Sequence, residues 1–177
     1  DPNNKRAYKL KGDTYYALKE YEKALEAYNK AIEIDSLFVD AYYERCLIYE
    51  DRNDYDRALS DFNMIISIEP DNYRLYNRRG IVYHFYLGEL EKGLADYNKA
   101  LELNPEFSKP FINRAVLHKH LKQYDKAIAD FDNGLKILQE KDPNSKKIAI
   151  CYENRGSLYH ELGEYKKALE DANSGIE

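Results

Sequence analysis

The sequence has no tryptophan, one methionine, two cysteines, eight glycines and five prolines among 177 residues. Two cysteines, Cys46 and Cys151, cannot build a disulfide framework. So little glycine and proline excludes collagen-like and low-complexity chains. No apolar run approaches the ~20 residues that a membrane-spanning helix needs. A basic excess is also missing: 27 Lys and Arg stand against 32 Asp and Glu, a formal charge of −5. That excludes wholesale electrostatic capture of nucleic acid or of an anionic membrane. Composition leaves the compartment open. What is abundant is tyrosine, 18 residues of it, in a chain that is 44% hydrophobic and therefore able to fold.

The tyrosines follow a period of 34 residues. Gly12 recurs as Cys46, Gly80, Ala115 and Gly156, always a small residue. Four places earlier stand Tyr8, Tyr42, Tyr76, Phe111 and Tyr152; three places later stand Tyr15, Tyr49, Tyr83, His118 and Tyr159. Farther on come Ala24, Ala58, Gly93 (one step late), Ala127 and Ala168, then Tyr28, Phe62, Tyr97 and Phe131, then Ala31, Ile65, Ala100, Gly134 and Gly175. Pro70 and Pro105 close two units. Bulky, small and tyrosine sites at i, i+4 and i+7 make one helix face, and the second set makes another. Polar turns such as Arg52-Asn53 separate them. One such pair cannot bury its apolar face, so the pairs must stack.

This pattern resembles the tetratricopeptide repeat (TPR) family over essentially the whole chain. The resemblance implies an all-α fold of helix-turn-helix repeats stacked as a right-handed superhelical solenoid. In this frame the repeats are 5–38, 39–72, 73–107, 108–148 with an insert, and 149–177, the last truncated. One extra residue near Leu87 is expected to lengthen the inner turn of the third repeat. The insert around Pro143 is expected to lengthen the second helix of the fourth, with a new start at Ser145. Residues 1–4 read as the tail of a preceding repeat, because Pro2 occupies the closing proline site. The sequence is accordingly read as part of a longer array.

A second regularity is ionic. Arg45, Arg79, Arg114 and Arg155 precede the small site, and Asp61, Asp96, Asp130 and Asp171 precede the second aromatic site. The first repeat has Lys11 and Ala27 instead. Joint presence and joint absence predict a partly buried Arg–Asp bridge between the two helices of each repeat. The arginine ladder therefore does not read as a nucleic-acid stripe.

The family resemblance assigns the side of each first helix opposite the scaffold sites to a concave, partner-binding groove. The residues it places there include Lys9, Tyr43, Arg74, Asn77, Arg78, His84, Phe85, Lys109, Ile112, Asn113, Lys119, His120 and Asn154. The second repeat is acidic along this face, and the third and fourth are basic. Arginine and asparagine suit a carboxylate or a peptide backbone, so the expected partner is an acidic protein segment, extended or helical. Chaperone-binding TPR domains hold two carboxylates with Lys and Asn, then Asn, then Lys and Arg. Here Lys9 and Asp13, Glu44, and Arg74 and Arg78 occupy those places, and the two acids would repel a carboxylate. An asparagine ladder is matched only by Asn113 and Asn154. Alternatives are self-assembly through the array ends, or recruitment of substrates for an enzyme domain elsewhere in a longer protein.

No enzymatic activity, cofactor or metal is expected. His118 takes a scaffold aromatic site, and His118 and His120 are split across their helix. Ser157 and His160 lack an acidic orienter. Cys46 replaces a small core residue.

Overall fold

In the computed structural model of the chain, residues 2–176 are described; Asp1 and Glu177, placed by the repeat frame in the leading tail and the last repeat, lie outside them. The described residues contain helices and no strand. The helices are α1 (Lys5–Ala17), α2 (Tyr21–Ile34), α3 (Val39–Asp51), α4 (Tyr55–Ile68), α5 (Tyr73–Ile81), α6 (Leu90–Leu103), α7 (Ser108–His120), α8 (Tyr124–Lys141), α9 (Lys146–Glu161) and α10 (Tyr165–Ser174). A π-helical segment, Val82–Tyr86, continues α5. The chain divides into two compact units after Leu75. In the first, α1 packs on α2, α2 on α3 and α3 on α4. In the second, α6 packs on the π-helical segment and on α7, α7 on α8, α8 on α9 and α9 on α10.

Each hairpin turn needs one left-handed residue. Lys19, Asn53, Gly88, Lys122 and Gly163 supply it, with φ of 60°, 58°, 67°, 56° and 78°. Gly88 shows that the third repeat has the same turn as the others. Its extra residue is not in the turn, as the sequence suggested, but in the helix before it. There the Leu87 amide bonds back five residues to the Val82 carbonyl at 3.1 Å, a single-turn π-bulge. The insert near Pro143 lets α8 run 18 residues to Lys141, and α9 starts ahead of Ala149, at Lys146.

The two helices of a repeat meet at the small site, and in the first four repeats the size of that residue goes with the ring at the facing position, whereas the fifth pairs Gly156 with Ala172 in that register. Cys46 pairs with Phe62 and Ala115 with Phe131, and all four are buried. Gly12 and Gly80 face tyrosines instead. A Cβ on Gly12 would lie 2.3 Å from Tyr28 Cε1, and one on Gly80 2.8 Å from Tyr97 Cε1. These rings lie over the glycines and carry their hydroxyls onward: Tyr28 donates to Asp13 Oδ1 at 3.0 Å, and Tyr97 Oη lies 3.3 Å from His84 Nδ1.

The ionic regularity is realised in four repeats. Arg45 donates through Nε and Nη2 to the two oxygens of Asp61 at 2.9 and 2.5 Å. Arg79 grips Asp96 at 2.8 and 2.7 Å, Arg114 grips Asp130 at 2.7 and 2.7 Å, and Arg155 grips Asp171 at 2.9 and 2.5 Å. All four carboxylates are buried. The remaining guanidinium nitrogen reaches the preceding repeat: Arg45 Nη1 to Asn29 and Arg114 Nη1 to Asn98, each at 2.6 Å, and Arg155 Nη1 to Asp132. Scaffold aromatics of the same helix flank the cation, with Arg45 lying 5.3 Å from the Tyr42 ring and 5.9 Å from the Tyr49 ring. One arginine thus ties together three helices.

Removing half of such a pair leaves a buried charge without its counterpart. Asp130→Ala is expected to lower unfolding free energy by about 3–5 kcal/mol, and the Arg114→Met/Asp130→Leu double variant by much less. Urea denaturation of the two variants against the parent checks this.

Candidate functional site

The first helices of the second unit carry two polar rungs. On α7, Asn113 and His120 are seven residues apart, and hence about 10.5 Å apart along the helix. Asn113 donates from Nδ2 to Asn77 Oδ1 on α5 at 3.0 Å. His120 Nδ1 lies 2.9 Å from His84 Nε2 in the π-helical segment. A third link runs onward from α7 to α9, where Lys119 Nζ donates to Ser157 Oγ at 3.3 Å. Phe85, 48% exposed, has its ring centroid 4.0 Å from that of His84. Between Asn77 and His120 the positions that the family resemblance assigns to a groove hold amides, imidazoles, apolar side chains and the cations Arg78, Lys109 and Lys119, without a carboxylate.

The structure redistributes several sequence-derived groove residues. Asn77 and His84 are buried, not surface-lining, because Asn113 and His120 bond to them from the next repeat. Ile112 turns toward the core, packing on the cluster of Leu135, Leu138 and Cys151. Gly134 makes room for it, since a Cβ there would stand 3.1 Å from Ile112 Cγ1. Asn154 donates to the Ile150 carbonyl of its own helix at 2.8 Å. The asparagine ladder therefore does not continue through its side-chain amide in that direction.

In the first unit, Lys9 is held by Asp13 at 2.9 Å and Glu44 at 3.6 Å. Tyr43 is half-buried, and Arg74 is exposed, donating from Nε to Tyr73 Oη at 3.4 Å. His118 is a core residue. Its Nδ1 lies 2.9 Å from Gln123 Oε1 and its Nε2 3.8 Å from Asp130 Oδ2.

Sequence reasoning missed two contributors, Gly93 and Tyr97. Gly93 stands where other repeats have alanine, and a Cβ there would lie 3.2 Å from both His84 Cβ and the Gly80 carbonyl oxygen. Its substitution for alanine, beside an extra residue in the same repeat, was the available signal. No group of three or more His, Cys, Asp or Glu among the described residues could hold a metal ion. No described helix is long and apolar enough to cross a membrane.

Comparison with known proteins agrees with this architecture. Residues 12–51 match a family described as TPR repeat, and residues 39–72, 73–107 and 106–177 match families described as Tetratricopeptide repeat. The chain belongs to the tetratricopeptide repeat family. It is 30% identical over 158 residues to the Hsp70-Hsp90 organizing protein of Triticum aestivum, covering 84% of this chain and 26% of the relative. It is 36% identical over 98 residues to heat shock protein STI1 of Saccharomyces cerevisiae, 55% of this chain and 16% of that one. The chain thus spans about a quarter or less of these relatives' lengths. Among solved structures, the MamA protein superposes with a TM-score of 0.82 at 17% identity, covering 97% of this chain and 90% of MamA. YrrB, described as a TPR protein with an unusual peptide-binding site, gives a TM-score of 0.74 at 25% identity over 98% of this chain and 86% of YrrB.

Burial first, and then the neighbouring His120, push the His84 imidazole down to about 4. His84 is therefore neutral near pH 7. In the unfolded chain the group titrates near its ordinary 6.5, so below that pH the unfolded state binds the extra proton. The contribution of neutral His84 to stability is complete above about pH 6.5 and is lost as pH falls toward 4. Proton NMR is expected to show the His84 ring resonances unshifted from pH 8 to about 5. A midpoint near 6.5 in the folded chain would contradict the burial argument.

Proposed function

We propose that this chain is a protein–protein recognition module, and that the face of α5, α7 and α9 in its second unit holds an acidic partner segment. The observation that carries this reading is the run from Asn77 to His120. Across two repeats it offers the Asn113 amide, the His120 imidazole and cations, backed by buried Asn77 and His84, with exposed Phe85 beside them and no carboxylate at these positions. An amide can bond a peptide backbone as donor and as acceptor, and a cation favours an acidic side chain. The family is in keeping with it: one structural neighbour is described by its peptide-binding site and several relatives are named as organizers of other proteins.

A terminal two-carboxylate clamp is a weaker reading. Lys9, which would serve it, is already neutralised by Asp13 and Glu44. Self-stacking of array ends is weaker too. The outward face of α1 carries Thr14 where the other repeats bury Ile48, Val82, Leu117 and Leu158. An apolar cavity of about 440 Å³ against α9 and α10, lined by Tyr152, Gly156, Ala168 and Ala172 among others, would receive that polar face poorly.

The test is an array of peptides combining Asp or Glu with aliphatic and aromatic residues, probed with the parent chain and with Lys109→Glu/Lys119→Glu. Thermal midpoints of both proteins are compared first, so that lost binding is not lost fold. Acidic peptides are expected to bind the parent and to lose about tenfold or more in affinity for the variant. Equal binding by both proteins, or a preference for basic peptides, would contradict the proposal.

A further inference from the structure

Three departures from the repeat pattern converge on one side chain. Among the described residues the π-bulge belongs to the third repeat alone, and it carries His84 to 3% exposure at a register where Tyr16, Glu50, Lys119 and His160 stand in the other repeats. Gly93 replaces the alanine of the other four repeats, and its missing Cβ is the space beside His84. Tyr97 replaces the phenylalanine of the second and fourth repeats, and its hydroxyl meets His84 Nδ1. A fourth feature comes from the next repeat, where His120 closes over His84 Nε2. Buried imidazole is costly to accommodate without partners, and here both ring nitrogens have one.

The direction of the hydrogen bonds follows from Tyr97. Its side chain is fully buried, and among the described residues the only acceptor within reach of its hydroxyl proton is His84 Nδ1. A buried hydroxyl donates where it can, so Tyr97 donates to Nδ1 of His84. Neutral His84 then carries its proton on Nε2 and donates to Nδ1 of His120. With Nδ1 accepting, neutral His120 carries its own proton on Nε2, at the opposite side of the ring. His120 is exposed, and its Nε2 has no hydrogen-bond partner among the described residues.

We propose that Tyr97, His84 and His120 form a relay that fixes His120 as the Nε2–H form and offers that N–H to a carboxylate of the bound segment. This rests on the groove reading above and names the group within it that selects the ligand. A carboxylate is the complementary acceptor, because Lys119 is the adjoining residue and the groove positions of these two repeats hold no acid. Phe85, packed against His84 and half exposed, sets an apolar residue beside that carboxylate. The first repeat has a shorter counterpart: Tyr28 over Gly12 donates to a groove-side acceptor, but that acceptor is Asp13, itself an acid. The same scaffold device therefore ends in a donor in the second unit and in a carboxylate in the first.

The test uses the whole chain. Long-range proton–nitrogen NMR of the ¹⁵N-labelled protein at pH 7.5 reports the His120 tautomer, and no ligand is needed. Protonated Nε2 with bare Nδ1 is expected in the parent. Mixed tautomers are expected in Tyr97→Phe, a change the second and fourth repeats already accommodate as Phe62 and Phe131. The binding arm uses the tightest acidic peptide of the array and its Asn/Gln counterpart, measured by fluorescence anisotropy. His120→Phe is expected to weaken the acidic peptide about tenfold and to leave the amide counterpart unchanged, and that unchanged affinity reports an intact groove although His84 Nε2 loses its partner. A His120 ring protonated on Nδ1 overturns the relay. Acidic-peptide affinity within about twofold of the parent in His120→Phe overturns the carboxylate assignment while the groove stands. If no acidic peptide binds the parent, the groove reading falls and the carboxylate assignment falls with it.

Discussion

An arginine in the first helix of four repeats sets the spacing on which the other contacts depend. Its fork closes on a buried aspartate of its own repeat and aromatic rings flank it; for Arg45, Arg114 and Arg155 the third nitrogen reaches back to the preceding repeat. A planar, permanently charged group with five donors suits this task, which a lysine could not perform with the same geometry. With the hairpin so fixed, the approach of the helices at the small site is fixed too. The size of that residue then decides which ring can lie opposite. The first repeat lacks the pair and keeps Lys11 over the Tyr15 ring, 5.7 Å from its centroid.

Beside this constraint runs a division between rings that end in carbon and rings that end in a hydroxyl. Where the small residue is Cys46 or Ala115, buried phenylalanine stands at the ring position and brings no hydroxyl to the first helix. Where it is Gly12 or Gly80, tyrosine lies closer and delivers a hydroxyl to the first helix. In the third repeat the delivered hydroxyl meets a buried imidazole, and the imidazole meets a second one on the next repeat. Scaffold packing and the exposed His120 ring are therefore linked through buried Tyr97 and His84.

Much of this was legible in the sequence because it repeats. Five copies of small and aromatic sites identified the helices, and the joint loss of Arg and Asp in the first repeat identified the bridge without coordinates. What escaped was whatever occurs once. The extra residue of the third repeat reads equally as a longer turn or a helical bulge, since both absorb one residue; only the position of left-handed Gly88 separates them. Periodicity placed Asn77, His84 and Ile112 opposite the scaffold sites by angle alone, and the family resemblance made that side the groove. Angle does not say what a neighbouring repeat will cover, and Asn113, His120 and the space at Gly134 settled those three. Asn29, Asn98 and Asp132, the third partners of the arginines, share a register that was visible but had no ionic pattern to draw notice.

We propose that the second unit, and within it the stretch from Asn77 to His120, meets an acidic segment. Chemical-shift mapping tests it most directly: an acidic peptide is titrated into the ¹⁵N-labelled chain and the amide and side-chain resonances are followed. The account predicts that the largest shifts fall on the Asn113 side-chain amide, the His120 ring and the backbone of Val82–Tyr86. Shifts concentrated instead on α1 and α3, around Lys9, Asp13 and Glu44, would contradict it.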